Sequence, residues 1–304
     1  MWLTFAFLSA ALLGFYDVFK KRSLRNNAVM PVLFLNTLFC TLLFVPFILG
    51  SSFGWVGETN AVYIPQGGWE MHRLILLKSC IVLLSWICGY FGMKHLPLTI
   101  VGPINATRPV LVLLGALFVF GERLNLWQWV GVLLAICSFF LLSRSGRKEG
   151  IRFAHNQWIG LIVLAAFAGA ASGLYDKYLM SSIENGGAGL DKMAVQSWYN
   201  VYQCLMMAVM LVVMWWPRRQ STTPFHWDGG IVFISLFLTV ADLAYFYALS
   251  FPDAMISIVS MVRRSSVLVS FLFGAILFRE KNLKAKALDL FLVLLGMICL
   301  WLGT

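Results

Sequence analysis

Charge is what this sequence has least of. Only 12% of its 304 residues are Asp, Glu, Lys or Arg, and 60% are hydrophobic. A water-soluble fold of this length needs far more polar surface, so the composition indicates a polytopic membrane protein. Metal-site spacing is missing too. The six cysteines, Cys40, Cys80, Cys88, Cys137, Cys204 and Cys299, all lie in apolar runs, never as CxxC, and no histidine stands near them in a ligand pattern. Structural zinc, disulfides and a bound cofactor are therefore not expected. The sequence has no HExxH, no GxSxG, no paired acid motif and no phosphate-cradling loop, which argues against an intramembrane enzyme and against ATP as the energy source. The net charge is +10, but no basic stripe is interleaved with stacking aromatics, so nucleic acid is not an expected partner. The first apolar run begins at Trp2 without a basic leader region and ends at "KKR", which reads as a retained helix.

What is present is a series of long apolar runs. A spanning helix needs about 20 mostly apolar residues. By that measure ten segments are expected, near 2–20, 29–49, 73–93, 97–120, 125–143, 157–180, 194–216, 229–250, 253–278 and 285–303. Backbone amides in lipid must be paired within the segment, so these are helices. The loops between them are too short for a soluble domain.

The sequence also repeats. "GFYD" from Gly14 to Asp17 matches "GLYD" from Gly173 to Asp176, 159 residues on. "NTLFC" at Asn36 echoes "NVYQC" at Asn200, "YFGMKHLP" at Tyr90 echoes "YFYALSFP" at Tyr245, and "FGER" at Phe120 echoes "FREK" at Phe278, in the same order. The reading is of two five-helix halves, 1–143 and 157–304, joined by a basic linker at 144–156. Five is odd, so the second half enters the membrane the other way up, and a site is expected at the midplane between the halves.

With its "GPINATRPVLVLLGALFVFGE" segment (Gly102 to Glu122), the chain resembles the EamA-type transporters of the drug/metabolite transporter superfamily, whose fourth helix carries a proline and ends in a Gly-Glu step. The second copy, "MVRRSSVLVSFLFGAILFRE", departs from that pattern, with no proline and with Arg279 in place of the glycine. The resemblance covers nearly the whole chain. It implies an all-α membrane fold of ten helices in two inverted repeats, and a bacterial multi-pass protein of the plasma (inner) membrane. The implied activity is transport of a small-molecule metabolite, without naming one.

Lys and Arg favour the cytoplasmic side. Loops 1–2, 3–4, 5–6, 7–8 and 9–10 carry fifteen of them and the opposite face five. Both termini are therefore expected outside the cytoplasm.

Three arginines fall inside expected spans: Arg108 in the fourth, Arg263 and Arg264 in the ninth. An arginine at mid-bilayer costs between about 2.5 and 17 kcal/mol, so these should face the protein interior or a wet cavity. The ninth span is read as one continuous helix. Neighbouring residues on a helix point about 100° apart, so one of Arg263 and Arg264 lines the pocket and the other reaches a neighbouring helix. Guanidinium groups suit carboxylate or phosphate, and organic-phosphate translocators of the same superfamily use basic residues in a central cavity. Asp242 is the acid nearest a helix middle and the expected arginine partner or proton site. Asp17 and Asp176 either share that role or are paired helix ends. Tyr16, Asn36, Asn105, Tyr175, Asn200 and Tyr245 are candidates for substrate contact, with interhelical hydrogen bonds as the alternative. Pro103 and Pro109 mark either a movable gate beside Arg108 or a static kink.

Two transport readings remain open. One moves an anionic or zwitterionic metabolite by alternating access. The other is a proton-coupled exporter of neutral or aromatic amino acids or drugs, using Asp242 or Asp17, with structural arginines.

Overall fold

The structure is a computed structural model that describes residues 2–120, 125–147, 156–180, 182–249, 259, 262–278 and 283–303. Among the described residues it is all helical. The elements are α1 (Trp2–Ser23), α2 (Val29–Ser52), α3 (Trp69–His95), α4 (Leu98–Ala106), α5 (Arg108–Phe120) and α6 (Leu126–Arg147), followed by α7 (Gln157–Met180), α8 (Lys192–Met210), α9 (Gly230–Leu249), α10 (Ser266–Leu277) and α11 (Leu283–Leu302). Among the described residues six helices are long and apolar enough to cross a bilayer: those beginning at Trp2, Val29, Trp69, Gln157, Lys192 and Gly230. Their outward residues, among them Phe7, Leu42, Leu84, Leu205, Val209 and Phe233, are exposed and apolar, as a lipid-facing surface requires.

The packing runs across the chain and not along it. α1 lies on α9, α3 on α7, α2 on α8 and α6 on α11, while α4 meets α10. Helices in lipid associate through close packing of small residues. Gly14 shows why: a Cβ there would stand 3.0 Å from the Ser266 carbonyl and collide with the Val269 side chain, so α1 and α10 approach only because it is glycine.

The expected spans correspond to these helices, with one correction and one refinement. The expected 97–120 helix is interrupted at Thr107, between α4 and α5. The ninth span is not one continuous helix, because a turn at Ser265 separates residues 262–264 from α10. The two breaks are alike. Thr107 has φ −78° and ψ −8°, and Ser265 has φ −63° and ψ −8°. The Thr107 hydroxyl donates to the Ile104 carbonyl at 2.7 Å, and the Ser265 hydroxyl donates to the Val262 carbonyl at 2.6 Å. A hydroxyl bonded back to the preceding turn bends a helix. Pro109, two residues after Thr107, removes a further backbone donor from the first break. At the end of α8 the chain widens through Leu211–Trp215 before a tight turn at Trp216–Arg218. Glu122, Arg279, Glu280 and residues 148–155 of the expected linker lie outside the described residues.

Candidate functional site

Both helix breaks carry arginine. Arg108 opens α5 immediately after Thr107, and Arg263 and Arg264 immediately precede Ser265. A break supplies backbone freedom at mid-membrane, where an unbroken helix would hold its side chains at fixed angles. The three guanidinium groups lie within electrostatic reach of one another, with Asp17 and Tyr16 of α1 and Tyr245 of α9 in the same cluster.

Each arginine is held differently. Arg263 donates through Nη2 to Oδ1 of Asp242, and its guanidinium carbon lies 4.2 Å from the centre of the Tyr245 ring. The other Asp242 oxygen accepts from the Tyr199 hydroxyl of α8 at 2.9 Å. Arg108 donates through Nη2 to Oδ1 of Asn105 at 3.1 Å, while its Nε is buried without a partner. Its guanidinium rests on Gly169 of α7, where a Cβ would stand 2.6 Å from Nη1. Arg264 has no hydrogen bond or ion pair among the described residues, and its electrostatic neighbours include Arg108 and Arg263.

Lys20 completes the cluster from α1. It pairs with Asp17 at 2.8 Å and lies 4.2 Å and 5.1 Å from the ring centres of Tyr16 and Tyr90. The Tyr16 hydroxyl donates to the Tyr90 hydroxyl at 3.5 Å. Four cations (Lys20, Arg108, Arg263, Arg264) thus gather around two carboxylates (Asp17, Asp242). Among the described residues the cluster holds more cations than carboxylates. In low dielectric an uncompensated cation is costly.

Some expected site residues lie elsewhere. Asp176 pairs with Lys78 of α3, which also faces the Tyr199 ring at 5.2 Å. Tyr175 donates to the Leu74 carbonyl at 3.3 Å. Asn200 donates to the Gln196 carbonyl at 2.9 Å, and Oδ1 of Asn36 accepts from the Cys40 thiol at 3.9 Å. These residues bind neighbouring turns or helices, and among the described residues no hydrogen bond or ion pair joins them to Arg108, Arg263 or Arg264. All six cysteines are unpaired.

Lys20 and Tyr199 in the cluster, and the buried Lys78 beside it, were not legible as buried partners in the sequence. Lys20 and Lys78 count as loop charges in the orientation tally, yet they are 7% and 3% exposed and lie within α1 and α3. Moving both out of the tally leaves fourteen against four, so the bias stands. The signal for Lys78 was its place inside "LILLKSCIVLL", about one turn into an apolar run.

A helical membrane bundle with ionised side chains clustered on broken helices is the architecture of a membrane transporter. The chain belongs to the EamA-like transporter family, which matches residues 1–144 and again 156–302, and so to the drug/metabolite transporter superfamily. An uncharacterized transporter of Pseudomonas aeruginosa is 28% identical over 131 residues, which is 41% of this chain and 42% of that protein. A probable 4-amino-4-deoxy-L-arabinose-phosphoundecaprenol flippase subunit, ArnE, of Pectobacterium atrosepticum is 36% identical over 75 residues, 25% of this chain and 62% of that protein. The chain therefore spans about half the length of these curated relatives. A solved crystal structure aligns over 99% of this chain and 97% of its own, with a TM-score of 0.64 at 15% identity, and supports the fold alone.

Proposed function

We propose that the protein is a secondary active transporter that moves a small anionic or zwitterionic metabolite through a central pocket by alternating access. The observation that carries this is the charge imbalance among the described residues: there Arg264 has no hydrogen bond or ion pair, Arg108 Nε has no partner, and two carboxylates face four cations. The bound anion supplies the missing charge at Arg108 and Arg264, while Arg263 is committed to Asp242 and positions the pocket. Asn105, Tyr16 and Tyr245 flank it.

The same reading assigns two inverted five-helix halves, 1–143 and 157–304, to a ten-helix bundle. The packing supports it, since exchanging each helix for its counterpart in the other half turns the α1–α9 contact into the α7–α3 contact and leaves α2–α8 and α6–α11 unchanged. Thr107 and Ser265, 158 residues apart, occupy equivalent breaks. The alternating motion is then a rocking of one half on the other about those breaks. The same reading puts the protein in a bacterial inner membrane, and the charge bias supports both termini lying outside the cytoplasm.

The Arg263–Asp242–Tyr199 contact favours a second reading, a proton-coupled exporter of neutral or aromatic compounds in which Asp242 takes the proton and the arginines are structural. Exchange assays on protein in liposomes separate the two. Uptake of a labelled anion driven by internal unlabelled anion, without a pH gradient, supports anion transport. Strict dependence on a pH gradient, lost in Asp242→Asn, supports the second reading and overturns the first.

A further inference from the structure

A cavity of about 210 Å³ lies between α4, α5, α6 and α7. Its wall includes Ile104, Leu111, Ile136, Val163 and Phe167. The Thr107 hydroxyl, the one side-chain polar group among the described residues of that wall, is already bonded to the Ile104 carbonyl. A cavity lined in this way stays dry: apolar cavities of about 150 Å³ exclude water and accept hydrocarbon. Ile136 and Phe167, at 48% and 55% exposed, stand at its outer edge on the lipid-facing surface. At its inner edge Thr107 is followed in the chain by Arg108, and Ala166 on the wall of α7 lies one turn from Gly169, on which the Arg108 guanidinium rests. The apolar slot thus reaches Thr107 and Ala166, the neighbours of Arg108 and of the turn bearing Gly169, and Arg108 Nε has no partner among the described residues.

We propose that this cleft seats the hydrocarbon chain of an anionic amphiphile whose head group is held by Arg108. The inference rests on the reading of the arginine cluster as an anion site and deepens it by naming the ligand class. Transfer of a chain from lipid to an apolar cleft gains little, because the bilayer is itself hydrocarbon. Selection therefore comes from the head group, through charge-assisted hydrogen bonds to the guanidinium. The cleft allows the tail to stay at the bilayer while the head enters the pocket, which a closed wall between α5, α6 and α7 would forbid. A fully soluble metabolite needs no such opening.

The test uses the full chain in phosphatidylcholine vesicles, a long-chain alkyl phosphate with a terminal photoreactive group, and the alcohol of the same length as control. Crosslinked residues are mapped by mass spectrometry. The alkyl phosphate is expected to label 104–114 and 163–167 about tenfold more than the alcohol does. Excess unlabelled alkyl phosphate should suppress the labelling, and Arg108→Gln should reduce it to the level of the alcohol. Val163→Phe, which narrows the cleft without touching the arginines, should lose the labelling yet keep the thermal response to inorganic phosphate. Equal labelling by alcohol and phosphate means occupancy by ordinary lipid only and overturns the proposal, as does unchanged labelling in Val163→Phe. If labelling fails while phosphate stabilisation still depends on Arg108 and Arg264, the cleft assignment alone falls. If neither depends on the arginines, the anion site falls with it.

Discussion

Tyr199 donates to Oδ2 of Asp242 at 2.9 Å, the oxygen that Arg263 leaves free. One buried carboxylate is thereby shared by a phenol from α8 and a guanidinium from the segment before α10. Removing the carboxylate's charge strands Arg263, and breaking a buried pair from one side costs about 3–5 kcal/mol. Asp242→Asn is therefore expected to lower the thermal unfolding temperature of the purified protein. Asp242→Asn with Arg263→Gln should recover part of the loss. A double variant no more stable than Asp242→Asn would contradict the pairing.

Gly169 gives a sharper test of Arg108. A methyl group there would press on the guanidinium at 2.6 Å from Nη1 and 3.0 Å from Nε. Gly169→Ala should displace Arg108, cutting anion-dependent transport about tenfold, equivalent to about 1.4 kcal/mol, with the fold retained. Gly160→Ala on the same helix has open space around it and should be silent. Transport rates of the two variants in liposomes, compared at equal reconstitution, check this.

The matched breaks predict paired effects. Each hydroxyl bond at Thr107 and Ser265 contributes about 0.5–1.5 kcal/mol. Thr107→Val and Ser265→Ala should each loosen one break and slow the transport cycle more than they weaken anion binding. Effects of similar size in both variants support equivalent roles in the two halves. A rate loss confined to one break would argue that the halves do not move as counterparts.

Orientation follows from charge, not from packing. A C-terminal green fluorescent fusion should stay dark and a C-terminal alkaline phosphatase fusion should be active, because both termini are expected outside the cytoplasm. Bright fluorescence would reverse the assignment and make loops 1–2 and 7–8 external.

Much of the fold was legible because lipid imposes one rule, that backbone groups pair within the segment, and apolar runs of spanning length answer it. The span 157–180 coincides with α7 for that reason. The break at Thr107 was half visible in Pro103 and Pro109, whereas Ser265 has no proline beside it, and a pair of serines after Arg263 and Arg264 does not announce a bend. The buried charge cluster was legible where charge stood alone in hydrocarbon, as at Arg108, Arg263 and Asp242. Lys20 was hidden because "KKR" reads as an interfacial cluster, although Lys20 turns inward to Asp17 while its neighbour Lys21 reaches the Met93 carbonyl at 2.7 Å. Repeat-related pairs misled where the halves diverge. Asp17 and Asp176 match in sequence, but one pairs within its own helix near the arginines and the other pairs with Lys78 of α3.

The central claim is that the positive surplus at Arg108 and Arg264 binds an anion. Thermal unfolding of the purified protein against a panel of carboxylates, phosphates and neutral metabolites tests it most directly, with wild type, Arg108→Gln and Arg264→Gln measured side by side. A ligand at 100 times its dissociation constant adds about 2.7 kcal/mol, so one or more anions should raise the wild-type transition by several degrees and leave both variants unmoved. Equal stabilisation of all three proteins by the same anions would contradict the account.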